Sequence, residues 1–558
     1  MSEKEHFSEI LRGDKGALKR ALYKSMGFTD KQLRKPIIAV VNSYTNATPG
    51  HFNLNQISEQ VTKGIESSGG TAMTFSTIAP CDGIAEGHDG MRYILPSRDI
   101  IASSVECMMR AHKFDGMVLL GSCDKIVPGM LMAAARLDIP SIFINGGPMM
   151  PAQYKGKHYD GNIVTEAIGW KQKGKISEEE FAYIESIAEP CAGSCAMLGT
   201  ANTMGCLAEA MGMSLPGSAT IPAIMSKRLS VAYETGEAIM NLVFNNVSAR
   251  QIITKESIEN AIMLLLSIGG STNAVMHLQA IYHEAGLGSL PLDVFDDFSR
   301  KIPQLASIYP ASPYDMVDFY EGGGVPAVMK ELQPLLQKEV MTVSGESLEK
   351  NLVSVKETKR REMIKTIEEP FSKEGGLAIL KGNLALDGSV VKPAAIPKHL
   401  FKFSGKAKIF NSEQEAIDGI LNGEVMENTA VILRYEGPKG GPGMPEMYRP
   451  MKCLEGMDLS DTCVIVTDGR FSGSNRGCFV GHISPEAFEG GTIGLIEDGD
   501  VIQIDIDKRS IHLAVSEDIL EQRRRTWMPL VKKVDQGYLE TYQRISKSAA
   551  AGAVIDVK

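Results

Sequence analysis

Three loops in the first 200 residues combine cysteine with acidic or small residues. They are Ala79–His88, Gly121–Lys125 and Pro190–Cys195. Cysteine thiolates are soft ligands that suit iron–sulfur clusters, whereas carboxylates and water suit Mg²⁺. Such loops could therefore serve two different metals side by side. The spacing is not that of a zinc site, because no C-x₂-C pair occurs. The alternative interpretation is a set of tight turns with incidental thiols.

Two glycine-rich loops, Arg434–Glu446 and Thr467–Gly477, lie in the second half of the chain. Glycine lets the backbone approach a ligand closely. Neither loop has the phosphate-binding sequence G-x-x-x-x-G-K-[ST] or the hydrolase sequence G-x-S-x-G. Ser472 has no evident triad partners, and a serine in such a turn is usually only a turn residue. Lone histidines such as His51 and His277 are more often structural than ligands.

The cysteine loops follow short apolar runs that predict buried strands. Pro36–Val41, Met117–Leu120 and Ser141–Ile144 each end in small or polar residues, as strands of a parallel sheet do. Helical patterns over 54–68 and 96–112 lie between them, and this alternation predicts an α/β domain. In such sheets function collects beyond the carboxyl ends of the strands, where the cysteine loops fall.

The pattern changes after about residue 375. Strands are predicted over 406–410, 429–434 and 462–467, and a hairpin over 501–515. We therefore predict two domains. Residues 1–374 form an α/β domain with a parallel sheet, and residues 375–558 form a β-rich domain that contributes Glu446 and Ser472.

Composition restricts the class of protein. The chain has 558 residues, of which 43% are hydrophobic and 23% charged, values typical of globular proteins. Its net charge of −10 would repel phosphate backbones, so nucleic acid is not an expected partner. The N-terminus lacks the apolar core of a signal peptide, and no apolar run reaches the roughly 20 residues of a membrane span. A cytoplasmic location without membrane attachment is expected.

Taken in order, these loops resemble the dihydroxy-acid and phosphogluconate dehydratase family over about residues 13–554. The most specific pieces include Cys81–His88, Cys123–Met130, Gly269–Asn273, Arg434–Met447 and Asp468–Gly473. The resemblance implies an α/β cluster-binding domain followed by a β-barrel-like C-terminal domain. It also implies assembly as a homodimer.

The resemblance further implies roles for seven residues. Cys123 and Cys195 match iron–sulfur ligands; Asp82, Asp124 and Glu446 match Mg²⁺ ligands; Lys125 matches a carbamylated lysine that binds Mg²⁺; and Ser472 matches the general base.

One departure concerns the cluster. Family members with a [2Fe–2S] cluster carry cysteine at the position of Gly50, whereas this chain has Cys81 directly before Asp82. The variant with glycine resembles members that hold a [4Fe–4S] cluster. We therefore predict a [4Fe–4S] cluster bound by Cys81, Cys123 and Cys195. Cys191 is the alternative third ligand, and [2Fe–2S] is the alternative cluster.

The function that the resemblance implies is that of a hydro-lyase acting on a small polyhydroxy acid. The expected substrates are 2,3-dihydroxy-3-methylbutanoate and 2,3-dihydroxy-3-methylpentanoate, which lose water to give the 2-keto acids of valine and isoleucine synthesis. The alternative is a sugar-acid dehydratase, acting on an aldonate such as gluconate.

Overall fold

The structure is a computed structural model that describes residues 8–471, 477–534 and 536–556. Its N-terminal half contains a parallel sheet in the order β2–β1–β3–β4. The strands are β1 (Ile37–Asn42), β2 (Thr71–Ser76), β3 (Gly116–Leu120) and β4 (Ser141–Ile144), followed by a hairpin of β5 (Ala152–Tyr154) and β6 (Lys157–Tyr159). Every residue of β1, β3 and β4 is buried, as in sheets that are covered on both faces.

Helices connect and cover these strands. In the described part of this half they are α1 (Ala17–Ser25), α2 (Asp30–Leu33), α3 (Leu54–Ser67), α4 (Asp82–Ala85), α5 (Ile94–His112), α6 (Ile126–Leu137), α7 (Ile163–Gln172), α8 (Glu178–Ile187), α9 (Thr200–Ala210), α10 (Ser226–Asn245), α11 (Lys255–Ile268), α12 (Asn273–Glu284), α13 (Leu292–Ser299), α14 (Met316–Glu321), α15 (Gly324–Glu331) and α16 (Leu348–Val353). Among the described residues, no helix is long and apolar enough to cross a membrane.

The C-terminal half is built around a closed barrel of eight strands in the order β10–β12–β14–β8–β7–β16–β15–β9. Closure pairs the edge strands that an open sheet would expose. The strands of this half are β7 (Ala378–Gly382), β8 (Ala385–Val391), β9 (Lys402–Phe410), β10 (Thr429–Leu433), β11 (Glu446–Met447), β12 (Val464–Thr467), β13 (Arg470–Phe471), β14 (Cys478–Ser484), β15 (Val501–Asp505) and β16 (Ser510–Leu513). The described helices here are α17 (Glu413–Leu421), α18 (Arg449–Gly456), α19 (Glu517–Thr526) and α20 (Tyr538–Ile545).

The predicted fold class is confirmed, since a parallel α/β sheet precedes a β-barrel. The predicted strands of the second half correspond to β9, β10, β12 and the hairpin of β15 and β16. The domain boundary near residue 375 stays a prediction; the first barrel strand begins at Ala378.

The contact between α3 and α10 depends on two glycines. A Cβ atom on Gly64 would lie 2.1 Å from the carbonyl oxygen of Tyr233, and one on Gly236 would lie 2.2 Å from that of Val61. Only hydrogen in place of a side chain lets the two backbones approach this closely. This contact holds α3, the helix that begins just after the loop between β1 and Leu54, in which Gly50 and His51 lie.

We predict that Gly236→Ala lowers the melting temperature, because the added methyl group must push the two helices apart. Overpacking of this kind costs about 1–3 kcal/mol of unfolding free energy. Gly169→Ala in α7 is the matched control, since a Cβ atom there would meet nothing within 4 Å. Alanine is the better helix former, so the control should gain up to about 1 kcal/mol. Thermal unfolding of both variants measures the difference, and a Gly236→Ala protein as stable as the wild type would contradict the prediction.

Candidate active site

Parallel pairing brings the loops after the sheet strands to one edge. The residues that follow β1 include Gly50 and His51, those after β3 include Cys123–Lys125, and those after β4 begin at Asn145. The Pro190–Cys195 loop joins this edge through backbone hydrogen bonds. Met149 N donates to Ser194 O at 2.8 Å, and Ser194 N donates to Gly147 O at 3.0 Å. The predicted location of the polar loops is therefore correct.

Gly193 is what allows this loop to lie so close to its neighbour. Its φ is +148°, and a Cβ atom there would lie 2.5 Å from the amide nitrogen of Met149. A larger residue would separate the two segments and withdraw Cys195 from the edge.

Three thiols line one cavity of about 370 Å³ at this edge, those of Cys81, Cys123 and Cys195. Gly50 also lines it, and a Cβ atom on Gly50 would lie 2.8 Å from Cys123 Sγ. Cys191 is not among the described residues that line the cavity; its Sγ accepts a hydrogen bond from Met150 N at 3.3 Å. The structure thus groups Cys81, and not Cys191, with the other two cysteines.

The two neighbours Cys81 and Asp82 both face this cavity. On a continuous strand, adjacent side chains would point to opposite sides. Here Cys81 has extended dihedral angles (φ −96°, ψ 123°) and the helix α4 begins at Asp82. The change from extended to helical backbone turns both side chains toward the same space.

Burial disfavours ionisation of these thiols. It raises the pKa of Cys123 well above its ordinary value, and the neighbouring Cys81 and Asp82 add to the effect. Burial, followed by the Asp82 carboxylate, raises the pKa of Cys81 to about 11. Thiolates in this cavity would therefore need positive charge beside them.

Three carboxylates, those of Asp82, Asp124 and Glu446, offer ligand oxygens that lie within 4.8 Å of one another. Burial and then the charges of Asp124 and Glu446 raise the pKa of Asp82 well above its ordinary range. Burial also acts to raise the pKa of Asp124. The Lys125 ammonium and the hydrogen bond from Asp82 outweigh it, so that the Asp124 pKa is lowered. Asp82 is therefore the carboxyl whose ionised form these neighbours oppose, and a divalent cation beside it would offset that repulsion.

Lys125 lies inside this group. It is 1% exposed, and its Nζ lies 3.2 Å from Asp124 Oδ2 and 3.7 Å from Glu446 Oε2. Its ammonium is thus a positive charge held among ligands that suit Mg²⁺.

A second group of potential ligands, His158, Asp315 and Asp318, has its carboxylates already engaged. Asp315 Oδ1 accepts the amides of Val317 and Asp318 and so caps α14. Arg360 Nη1 donates to Asp318 Oδ1 at 2.9 Å. Capping and ion pairing account for this group without a metal.

Ser472, the predicted general base, lies outside the described residues. Arg470, two positions earlier in the chain, had no role in the prediction from sequence. It is fully buried, its Nε donates to Met444 O at 2.7 Å, and its Nη1 donates to Glu446 Oε2. The short pairing of β11 with β13 sets Arg470 opposite Glu446. Arg470 and Glu446 both belong to the glycine-rich segments of the sequence, and that position was the signal by which sequence reasoning could have found Arg470.

Comparison with known proteins agrees with this architecture. The N-terminal profile of the dihydroxy-acid/6-phosphogluconate dehydratase family matches residues 35–351, and its C-terminal profile matches residues 362–553. The chain belongs to the dihydroxy-acid/6-phosphogluconate dehydratase family. The resemblance and the prediction of a hydro-lyase are thereby confirmed.

Several relatives within the family match almost end to end. A protein named dihydroxy-acid dehydratase from Halothermothrix orenii is 48% identical over 549 residues, 98% of this chain and 99% of that protein. Proteins of the same name from Caldanaerobacter subterraneus and Pyrococcus abyssi are each 48% identical over 547 residues, which is 98% of this chain and 98% of each relative.

In this dehydratase family member, His51 supports the loop that carries Cys123. Its Nε2 accepts the amide protons of Ser122 at 3.2 Å and of Cys123 at 3.1 Å, so Nε2 carries no proton of its own. Its Nδ1 lies 2.9 Å from Ser43 O, to which it must donate. Both ring nitrogens are engaged, which agrees with the structural role expected of a lone histidine and leaves neither free for iron.

This arrangement makes stability depend on pH. Burial lowers the pKa of His51 from 6.5 to about 4. Between these values the unfolded chain binds more protons than the native one, so stability falls as pH falls. We expect His51 to contribute a loss of about 3 kcal/mol between pH 6.5 and pH 4.

Urea unfolding of cluster-free protein across this pH range tests the prediction. His51→Gln keeps an acceptor but cannot titrate, so its unfolding free energy should depend less steeply on pH. His283→Gln changes an exposed histidine and should keep the wild-type slope. Equal slopes for the wild type and His51→Gln would refute the assignment.

Proposed function

We propose that this protein removes water from 2,3-dihydroxy-3-methylbutanoate and 2,3-dihydroxy-3-methylpentanoate, giving the 2-keto acids of valine and isoleucine synthesis. The observation that carries the proposal is a single cavity lined by three thiols, by six carboxylates that include Asp82, Asp124 and Glu446, and by several apolar side chains. The name dihydroxy-acid dehydratase, which the relatives bear, supports the same reaction. A homodimer in the cytoplasm stays a prediction from sequence.

The donor set fits the two groups that the family implies. Cys81, Cys123 and Cys195 offer three soft ligands for a [4Fe–4S] cluster, which would leave one iron without a protein ligand. Asp82, Asp124 and Glu446 offer hard ligands for Mg²⁺, and Lys125 would add an oxygen once carbamylated. When bound, these metals supply Lewis acidity toward the leaving 3-hydroxyl and toward the carboxylate and 2-hydroxyl.

The remaining chemistry falls to the chain itself. We assign Ser472 Oγ as the base that removes the proton from C2 of the substrate. A cation nearby would lower the pKa of the serine hydroxyl. Carbamylation of Lys125 would join its Nζ to carbon dioxide with loss of a proton, which converts the side chain from a cation into an anionic oxygen ligand. Burial of Asp124, Lys125 and Glu446 also keeps bulk water away from the polar groups, so that their interactions with substrate are strengthened.

The lining of the cavity favours a branched-chain acid over a phosphorylated one. Ile84, Met91, Met149 and Met197 give it apolar wall area suited to the methyl and ethyl groups of the proposed substrates. A phosphate dianion would need cationic partners. No arginine or lysine stands among the described residues that line the cavity.

The alternative, an unphosphorylated sugar acid, has some support of its own. Asp160, Asn162 and Glu189 also line the cavity and could accept or donate hydrogen bonds to extra hydroxyls. Asp160 is, however, already bonded by the Asn162 amide at 2.7 Å. We therefore place the branched-chain substrates first.

Turnover by anaerobically purified protein decides between these substrates. We expect kcat/KM for the two branched-chain acids to exceed that for gluconate, a pentonate and 6-phosphogluconate by at least about 100-fold, since misplaced hydroxyls and charges are poorly tolerated in an apolar pocket. Glu446→Gln, purified in parallel, controls for contaminating activity and should be inactive. Turnover of sugar acids alone would overturn the substrate assignment.

The cluster ligands are tested by a pair of cysteine variants. Cys81→Ser should lose bound iron and change the Mössbauer spectrum, with activity reduced at least about 100-fold, because a hard hydroxyl replaces a soft ligand. Cys191→Ser is the matched control and should keep the cluster, since its thiol contacts the Met150 amide instead. An unchanged spectrum for Cys81→Ser would remove that residue from the site.

A further inference from the structure

The two carboxylate oxygens of Glu446 have different surroundings. Oε2 accepts hydrogen bonds from Asn273 Nδ2 at 3.1 Å and from Arg470 Nη1, and Lys125 Nζ lies 3.7 Å away. Within the described part of the chain, Oε1 accepts no hydrogen bond. One oxygen is therefore fixed by the protein, and the other remains available to a cation.

Asn273 is placed to do this by its position in the fold. It is the first residue of α12, directly after the Gly269–Thr272 turn, and its side chain is fully buried. One proton of its amide nitrogen goes to Glu446 Oε2, and the other goes to Thr200 Oγ1 at 3.1 Å. The reversed amide would point Oδ1 at a carboxylate, so these two acceptors fix its orientation.

Thr200 extends these hydrogen bonds from Asn273 toward the loop that carries Cys195. It is the first residue of α9, and its hydroxyl also lies 2.8 Å from Ser271 Oγ. Two residues later, Asn202 Nδ2 donates to Cys195 O at 2.6 Å and to Met197 O at 2.7 Å. The first turn of α9 thus holds the Cys195 loop on one side and the Asn273 amide on the other.

We propose that Asn273 is a positioning residue of the cation site: it fixes Glu446 Oε2 so that Oε1 faces the cation, and it joins this ligand to the loop that carries Cys195. A neutral amide can orient a carboxylate without cancelling the charge that attracts the cation. Residues that hold a metal ligand in place without binding the metal commonly change metal affinity by about 10–100-fold. This inference rests on the proposed function, because it takes Asp82, Asp124 and Glu446 as the cation ligands.

The affinity for Mn²⁺, a spectroscopic substitute for Mg²⁺, measures this role apart from catalysis. In cluster-containing protein, Asn273→Ala should raise the Mn²⁺ dissociation constant, followed by electron paramagnetic resonance, at least about 10-fold. Thr200→Val, close in shape to the wild type, should weaken binding in the same direction by a smaller factor. Should Asn273→Ala fail to fold, the affinity of Thr200→Val decides.

Asn260→Ala is the matched control. Asn260, in α11, is an equally buried asparagine, but its amide bonds to the backbone of Gln337: Nδ2 donates to Gln337 O and Oδ1 accepts from Gln337 N, each at 2.9 Å. Its loss should lower the melting temperature and leave Mn²⁺ affinity at the wild-type value. Equal weakening of Mn²⁺ binding in Asn260→Ala and Asn273→Ala would show a general loss of structure and would overturn the inference.

Asp124→Asn separates this inference from the proposed function. Loss of Mn²⁺ binding in Asp124→Asn, with wild-type affinity retained in Asn273→Ala and Thr200→Val, would overturn the positioning role alone. Wild-type Mn²⁺ affinity in Asp124→Asn would place the cation elsewhere, and would overturn both the cation site and the role of Asn273.

Discussion

Mutual repulsion among buried carboxylates is the constraint around which this site is organised. Asp82, Asp124 and Glu446 offer oxygens within 4.8 Å of one another, and burial together with the charges of the other two carboxylates raises the pKa of Asp82 well above its ordinary range. Such a group persists only where other contacts hold it and positive charge compensates it. The Lys125 ammonium, the Arg470 guanidinium and the Asn273 amide all meet Glu446 Oε2. The side chains of the protein neutralise the negative charge of this group only in part, and the remaining charge would attract a cation.

The two halves of the molecule divide this task. The parallel sheet brings Cys81, Asp82, Cys123 and Asp124 to one edge, because parallel strands all end on the same side, and the loop that carries Cys195 joins this edge through backbone hydrogen bonds. Glu446 and Arg470 come from the barrel half, through the two-residue strands β11 and β13 that lie outside the barrel itself. A site assembled across two cores depends on their relative position, and the buried bond between Asn273 and Glu446 is one of the contacts that fix it.

Neutral polar groups support the loops without adding charge. His51 accepts two backbone amides beneath Cys123, and Asn202 binds the carbonyls of Cys195 and Met197. Each satisfies backbone groups that a tight loop leaves without secondary-structure partners. Since burial keeps His51 uncharged at neutral pH, the thiol loop is held by an acceptor that does not compete for the metals. Gly50 leaves the space beside Cys123 Sγ, and Gly193 lets the loop that carries Cys195 approach the backbone of Met149.

The sequence by itself determined the elements and the chemistry of the loops. Buried apolar runs and alternating strands predicted a parallel sheet followed by a β-rich half, because hydrophobic pattern follows local geometry. Soft and hard ligands in adjacent positions indicated two kinds of metal before any fold was known. The ordered motifs that resemble those of the family then identified Asp82, Asp124, Lys125 and Glu446 as the expected Mg²⁺ ligands.

Only the tertiary structure decided which of these residues meet. Whether Cys81 or Cys191 joins the other thiols depends on the turn into α4 at Asp82 and on how the 190–195 loop packs against the segment that follows β4. The contacts that Arg470 and Asn273 make could not be predicted from their motifs, because their partner Glu446 lies 24 and 173 residues away. Local patterns set the conformation of a segment, whereas contacts at such separations are set by how the two halves pack together.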